Sequence, residues 1–168
     1  MLAIQLIDVG NFMTKLLRSE IFDSFLFVEG EIRTNITYSF DGHINSSFYS
    51  NEELETEGLL DFTYLPFSKL RSTLFELIKG KRTPTFFKFV FALPPAKAKE
   101  LFSSCDSSLP PEDMHDLIFR LTFQNNMLTC TTGVSYHSFS LDKTLEYEWD
   151  TFLCDFLKHY EIPYRELS

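Results

Sequence analysis

This sequence predicts an α+β fold, an antiparallel sheet with helices on one face, on three observations. Segments whose apolar residues recur every second position alternate with segments of helical period. The strand-like segments are one-sided: Phe87, Phe89, Phe91 and Leu93 share a face that excludes Lys88, so one side of the sheet is packed and the other partly wet. Asn125-Asn126 lies between two such segments, and asparagine tolerates the left-handed backbone of a tight antiparallel hairpin.

Taken in order, residues 2–7 form an apolar run that reads as a buried strand ending at Asp8-Val9-Gly10. Phe12, Leu16, Leu17 and Ile21 then predict an amphipathic helix over 11–22. Two strand-like runs follow. In the second, Ile32, Thr34, Ile36, Tyr38 and Phe40 alternate with polar residues, and Asp41-Gly42 is expected to turn the chain into a further strand at 43–45. The stretch 46–66, with four glutamates around Leu54, reads as a surface excursion with one helical turn stopped by Gly58. A helix over 67–79 presents Leu70, Leu74, Leu77 and Ile78 inward and stops at Gly80. After the strand at 85–93, Pro94-Pro95 opens a helix carrying Ala98, Leu101, Phe102 and Cys105 on its inner side. Leu117, Phe119, Leu121 and Phe123 mark the next strand, 127–132 the one after it, and Gly133 is expected to separate a last strand at 134–139. Asp142 can cap a final helix over 142–160, whose inner face holds Leu145, Trp149, Phe152, Phe156 and Leu157.

That order reads as β-α-β-β-β, helix, β-α-β-β-β, helix, with units at 2–49 and 84–140 inside one domain spanning 1–168. A duplicated β-α-β-β-β unit resembles one domain of the DNA sliding-clamp fold. That resemblance implies two helices on one face of a continuous antiparallel sheet, turned towards DNA. Separately, the stretches Phe75-Glu-Leu-Ile-Lys-Gly-Lys-Arg-Thr-Pro84, Leu128-Thr-Cys-Thr-Thr-Gly133 and Leu141-Asp-Lys-Thr-Leu-Glu146 are similar to an uncharacterised domain-of-unknown-function family of Gram-positive bacteria. This second resemblance implies no activity and transfers no catalytic residue.

Composition narrows the function classes. The formal charge is −9, which excludes a protein basic throughout but leaves room for a local basic face. A hydrophobic content of 44%, with 19 Phe, excludes intrinsic disorder. Three cysteines, an odd number without C-x-x-C spacing, do not make a disulfide framework and fit the reducing cytosol. The N-terminal run lacks a basic flank and is broken by Gln5 and Asp8, so neither a signal peptide nor a membrane span is expected.

Catalytic patterns are not found. His43, His115, His137 and His159 have no metal-ligand spacing, so no metal and no cofactor are expected. Neither a nucleophile elbow nor a glycine-rich phosphate loop occurs, and Cys130 alternates inward with Leu128 as a small hydrophobe would. The acidic residues form solvated runs rather than a general acid–base pair. The suggestive residues are basic: Lys15 and Arg18 on the first helix, Lys97 and Lys99 on the proline-initiated helix, and Lys79, Lys81 and Arg82 around Gly80. A cation in such a loop also complements a helix C-terminus, the simpler role. Two readings follow. In the first, the protein is a non-enzymatic nucleic-acid-associated module that uses these seven residues on phosphates. In the second, it is a protein-interaction or regulatory domain without catalytic activity, using the acidic excursion and exposed aromatics.

Overall fold

The computed structural model describes residues 1–168 as an eight-stranded antiparallel sheet with five α-helices. The strands are β1 (Ala3–Leu6), β2 (Leu26–Arg33), β3 (Thr37–Asp41), β4 (Leu65–Pro66), β5 (Phe86–Ala92), β6 (Met114–Gln124), β7 (Met127–Tyr136) and β8 (Tyr164–Glu166). The helices are α1 (Val9–Leu17), α2 (Asn51–Thr56), α3 (Arg71–Ile78), α4 (Pro95–Ser103) and α5 (Thr144–His159). Strand order is β3-β2-β5-β6-β7-β1-β8, with β4 paired to β2.

One face of the sheet carries the main core. Phe87, Phe89 and Phe91 of β5 are buried with Leu117, Phe119, Leu121 and Phe123 of β6, as the period-two pattern requires. Residues of α1, α3, α4 and α5 join the same core, so these four helices cover one face. The rings pack in register: Phe91 and Phe119, cross-strand partners, stack at 4.9 Å, and Phe87 and Phe123 at 5.2 Å. Phe22 and Phe25, in the turn after α1, insert between this layer and Phe156 of α5. On the opposite face a small cluster of Leu26, Tyr64 and Ala92, backed by Phe62 and Ile118, lies under the 59–64 segment. The 46–66 excursion is therefore partly a cover for the second face. Its helix α2 begins with a capping box between Ser50 and Glu53 and is followed by Gly58 at φ +70°, the left-handed stop expected of that glycine.

Several local expectations change. The first helix begins at Val9, where the Asp8 side chain accepts from the Asn11 N–H, and ends at Leu17, well short of residue 22; beyond it the Ser19 hydroxyl donates to the Lys15 carbonyl. The alternation over 32–40 runs through a turn at 34–36, leaving Ile36 exposed, so the pattern belongs to two paired strands. Gly42 makes no hairpin. Its N–H donates to Val28, and residue 43 forms only an isolated bridge with Tyr64. Gly133 does not divide the chain either: it pairs with Ile118 inside the continuous β7, where the missing Cβ accommodates the Ile118 side chain. Asn125 and Asn126 both have positive φ, as a type I′ turn demands. The strand β8 is an addition, pairing with β1 after α5.

These changes bear on the duplication. Each unit holds two strands after its helix, and their pairing lacks an internal twofold: β5 sits between β2 and β6, whereas β1 sits between β7 and β8. β1 ends in the row Leu6–Leu128–Phe123–Phe87, where β5 begins, so α1 and α4 leave the sheet from opposite ends.

Candidate functional site

The seven cations fall into three places. Lys15, half-buried, is engaged with the end of α5: its ammonium donates to the carbonyls of Tyr160 and Glu161, the latter at 3.2 Å. These are orphan carbonyls of a helix C-terminus, where a cation also complements the dipole. Arg18 and Lys79 approach a common ring, each with its charged group 5.8 Å from the Phe75 centroid, because α1 packs against α3. Lys79 additionally pairs with Glu76 at 2.7 Å, and Lys81 and Arg82 follow in the exposed turn around Gly80. Lys97 and Lys99 lie on α4. The loop after α4 is bonded through Ser107 and Ser108 to Asp142, just ahead of α5, whereas Lys15 is at the far end of that helix. A 16-residue helix is about 24 Å long and α1 and α4 leave the sheet from opposite ends, so Lys97 and Lys99 do not join Lys15 in one surface.

The α4 end of the molecule holds a cleft that sequence reasoning did not anticipate. About 610 Å³ lies between α4, the Thr63-Tyr64 segment and the start of β6. Leu26, Leu93, Ala98, Phe102 and Met114 supply apolar surface, while Lys99, Ser103, Glu112, His115, Asp116 and the Tyr64 hydroxyl supply polar groups. Each arrives for a local reason. Proline at the first position of α4 starts a helix that buries Ala98 and Phe102 and leaves Lys99 at the rim. Pro111 starts a short 3-10 turn, Pro111–Asp113, that feeds β6 and carries Glu112 outward. Tyr64 is 8% exposed, held over the sheet by its small core cluster.

Asp116 organises the polar wall. Its Oδ2 accepts from the Tyr64 hydroxyl at 3.3 Å and lies 2.6 Å from His115 Nδ1. Burial and the neighbouring Asp116 charge both push the Tyr64 phenol up, so it stays a protonated donor at neutral pH. With Nδ1 directed at the carboxylate, Nε2 is the His115 nitrogen left for another partner. The pairing of β6 with β7 also sets the His115 and His137 rings 5.0 Å apart, edge to face. No cluster of three metal-ligating residues forms anywhere in the chain. Cys130 is buried, and burial pushes its thiol well above the ordinary value, which leaves no thiolate for nucleophilic chemistry. A carboxylate and a histidine adjacent in sequence, met by a tyrosine 52 positions away, give no periodic signal; only the fold of 46–66 back onto the second face joins them.

No helix of the chain is long and apolar enough to cross a membrane. Comparison with known proteins finds no match among curated proteins or solved structures. Residues 15–165, which include both the cleft and the Phe75 cluster, match a family of unknown function, DUF5721, and the chain belongs to that family.

Proposed function

We propose that the protein is a non-enzymatic binding module of a reducing, cytoplasmic compartment whose ligand occupies the cleft between α4 and β6. The observation that carries this reading is the convergence of Tyr64, Asp116, His115 and Lys99 on one recess of about 610 Å³ with an apolar floor and a polar wall, inside the ~300–1,000 Å³ range of small-ligand sites. A binding role is supported over nucleophilic catalysis because His115 is paired with Asp116, and no hydroxyl or thiol is hydrogen-bonded to its ring. Titration with apolar fragments, followed by amide chemical shifts, tests this. Shifts concentrated at Tyr64, Lys99, Met114 and His115 are expected, and Ser103→Trp, which fills the cleft from the exposed end of α4, should abolish them. Shifts scattered over the surface, or unaffected by Ser103→Trp, would refute it.

Nucleic-acid association is the second reading, favoured by Arg18 and Lys79 meeting at Phe75 with Lys81 and Arg82 in the adjoining turn, a local group of cations suited to phosphates. It requires oligonucleotide affinity that falls with salt and is lost in Lys79→Glu/Arg82→Glu. Fluorescence anisotropy at low salt decides: equal anisotropy changes for wild type and variant eliminate this reading.

A further inference from the structure

We propose that the cleft takes a zwitterion with an apolar body, a short peptide with free amino and carboxyl ends being the chemical class that fits. This rests on the cleft being the binding site. Two charged groups at its mouth come from different walls, Lys99 from α4 and Glu112 from the turn before β6. Neither takes part in any ion pair of the protein, with each other or with another residue. The Asp116 carboxylate and the Ser103 hydroxyl are already engaged. Asp116 is held by His115 and the Tyr64 hydroxyl, and Ser103 Oγ donates to the Lys99 carbonyl at 2.9 Å.

A ligand that desolvates this mouth must answer both unpaired charges. An apolar molecule would leave each without a partner, a monoanion would face Glu112, and a monocation would face Lys99; each mismatch carries a desolvation cost. A zwitterion meets both. Its carboxylate belongs on the α4 side. There Lys99 supplies the facing positive charge. Its ammonium belongs on the β6 side, with Glu112 and the Tyr64 oxygen, whose lone pairs remain available while its proton is given to Asp116. The apolar side chains then rest on Leu93, Ala98, Phe102 and Met114.

Calorimetric titration of the full chain with the dipeptide Leu-Phe, its N-acetyl form and its C-terminal amide tests the assignment. The free dipeptide is expected to bind about tenfold more tightly than either blocked form. Lys99→Gln should erase the preference over the amide only, and Glu112→Gln the preference over the acetylated form only; both side chains are exposed, so thermal melts should stay unchanged. Equal binding of all three forms, lost in Ser103→Trp, overturns the charge assignment and leaves the cleft as the site. Binding of all three that survives Ser103→Trp overturns the cleft reading as well. No binding of any form at millimolar concentration overturns the zwitterion assignment, and the fragment titration then judges the cleft on its own.

Discussion

At Gly42 an added Cβ would lie 1.8 Å from the Phe27 carbonyl oxygen and 2.8 Å from that of Val28. Both contacts are backbone, so nothing flexible can give way. Gly42→Ala should therefore cost several kcal/mol (about 3 or more) or prevent folding, visible as a lost urea transition. An unchanged midpoint would mean the β2–β3 edge can open there. A second single-residue effect concerns Lys15. Removing an ammonium that satisfies two helix-terminal carbonyls should destabilise by about 1 kcal/mol, with Lys15→Ala shifting the urea midpoint and Lys97→Ala leaving it in place. Equal midpoints for the two variants would show that the Lys15 contact contributes nothing. Thr132 belongs to the same class: its Oγ1 accepts from the Leu2 N–H at 2.8 Å and donates to Asp150, tying the N-terminal strand to α5.

Among elements, the junction of α4 and α5 is held by one carboxylate. Asp142 accepts from the Ser107 and Ser108 hydroxyls, the Ser108 N–H and the Thr144 N–H, fastening the loop after α4 to the first turn of α5. These donors, those of Thr144 first and then those of Ser108, hold the carboxyl far below its ordinary value of 3.8. A depressed folded pKa contributes stability that is complete above the unfolded value and is lost as pH falls below it. Urea midpoints should thus decline as pH drops below about 3.8, and Asp142→Asn should flatten that part of the profile. Parallel profiles for wild type and variant would contradict the latch. The same junction positions the cleft, because α4 and the 111–116 segment flank the tethered loop.

Across the whole molecule, one core of 28 buried residues joins both ends of the chain, from Ile4 to Ile162. Unfolding should accordingly be a single transition. Trp149, fully buried and donating through Nε1 to the Ile118 carbonyl at 2.8 Å, reports on the centre of that core. Its fluorescence and the far-UV circular dichroism should give coincident urea curves, and separate midpoints would reveal independent halves. Phe119 is 1% exposed and packs against Phe25, Phe91 and Trp149. Phe119→Ala should cost about 3–5 kcal/mol as a large buried ring lost to a cavity. An unchanged midpoint would mean that this face of β6 is not the packed one.

Sequence alone placed the centre of the core. Phe89, Phe119 and Trp149 were expected in the core from their place on one-sided elements, and all three are at most 1% exposed. The same local rules placed α3, α4, α5, the 125–126 turn and the stop at Gly58, because periodicity, proline and left-handed asparagine or glycine act within a few residues. Tertiary structure decided strand neighbours and the cleft. The seating of β5 between β2 and β6, and of β1 beside β7, depends on pairing between residues far apart in the chain, which no local period encodes. The approach of Tyr64 to Asp116 is of the same kind: a side-chain contact across 52 positions exists only once the 46–66 excursion has closed over the second face of the sheet.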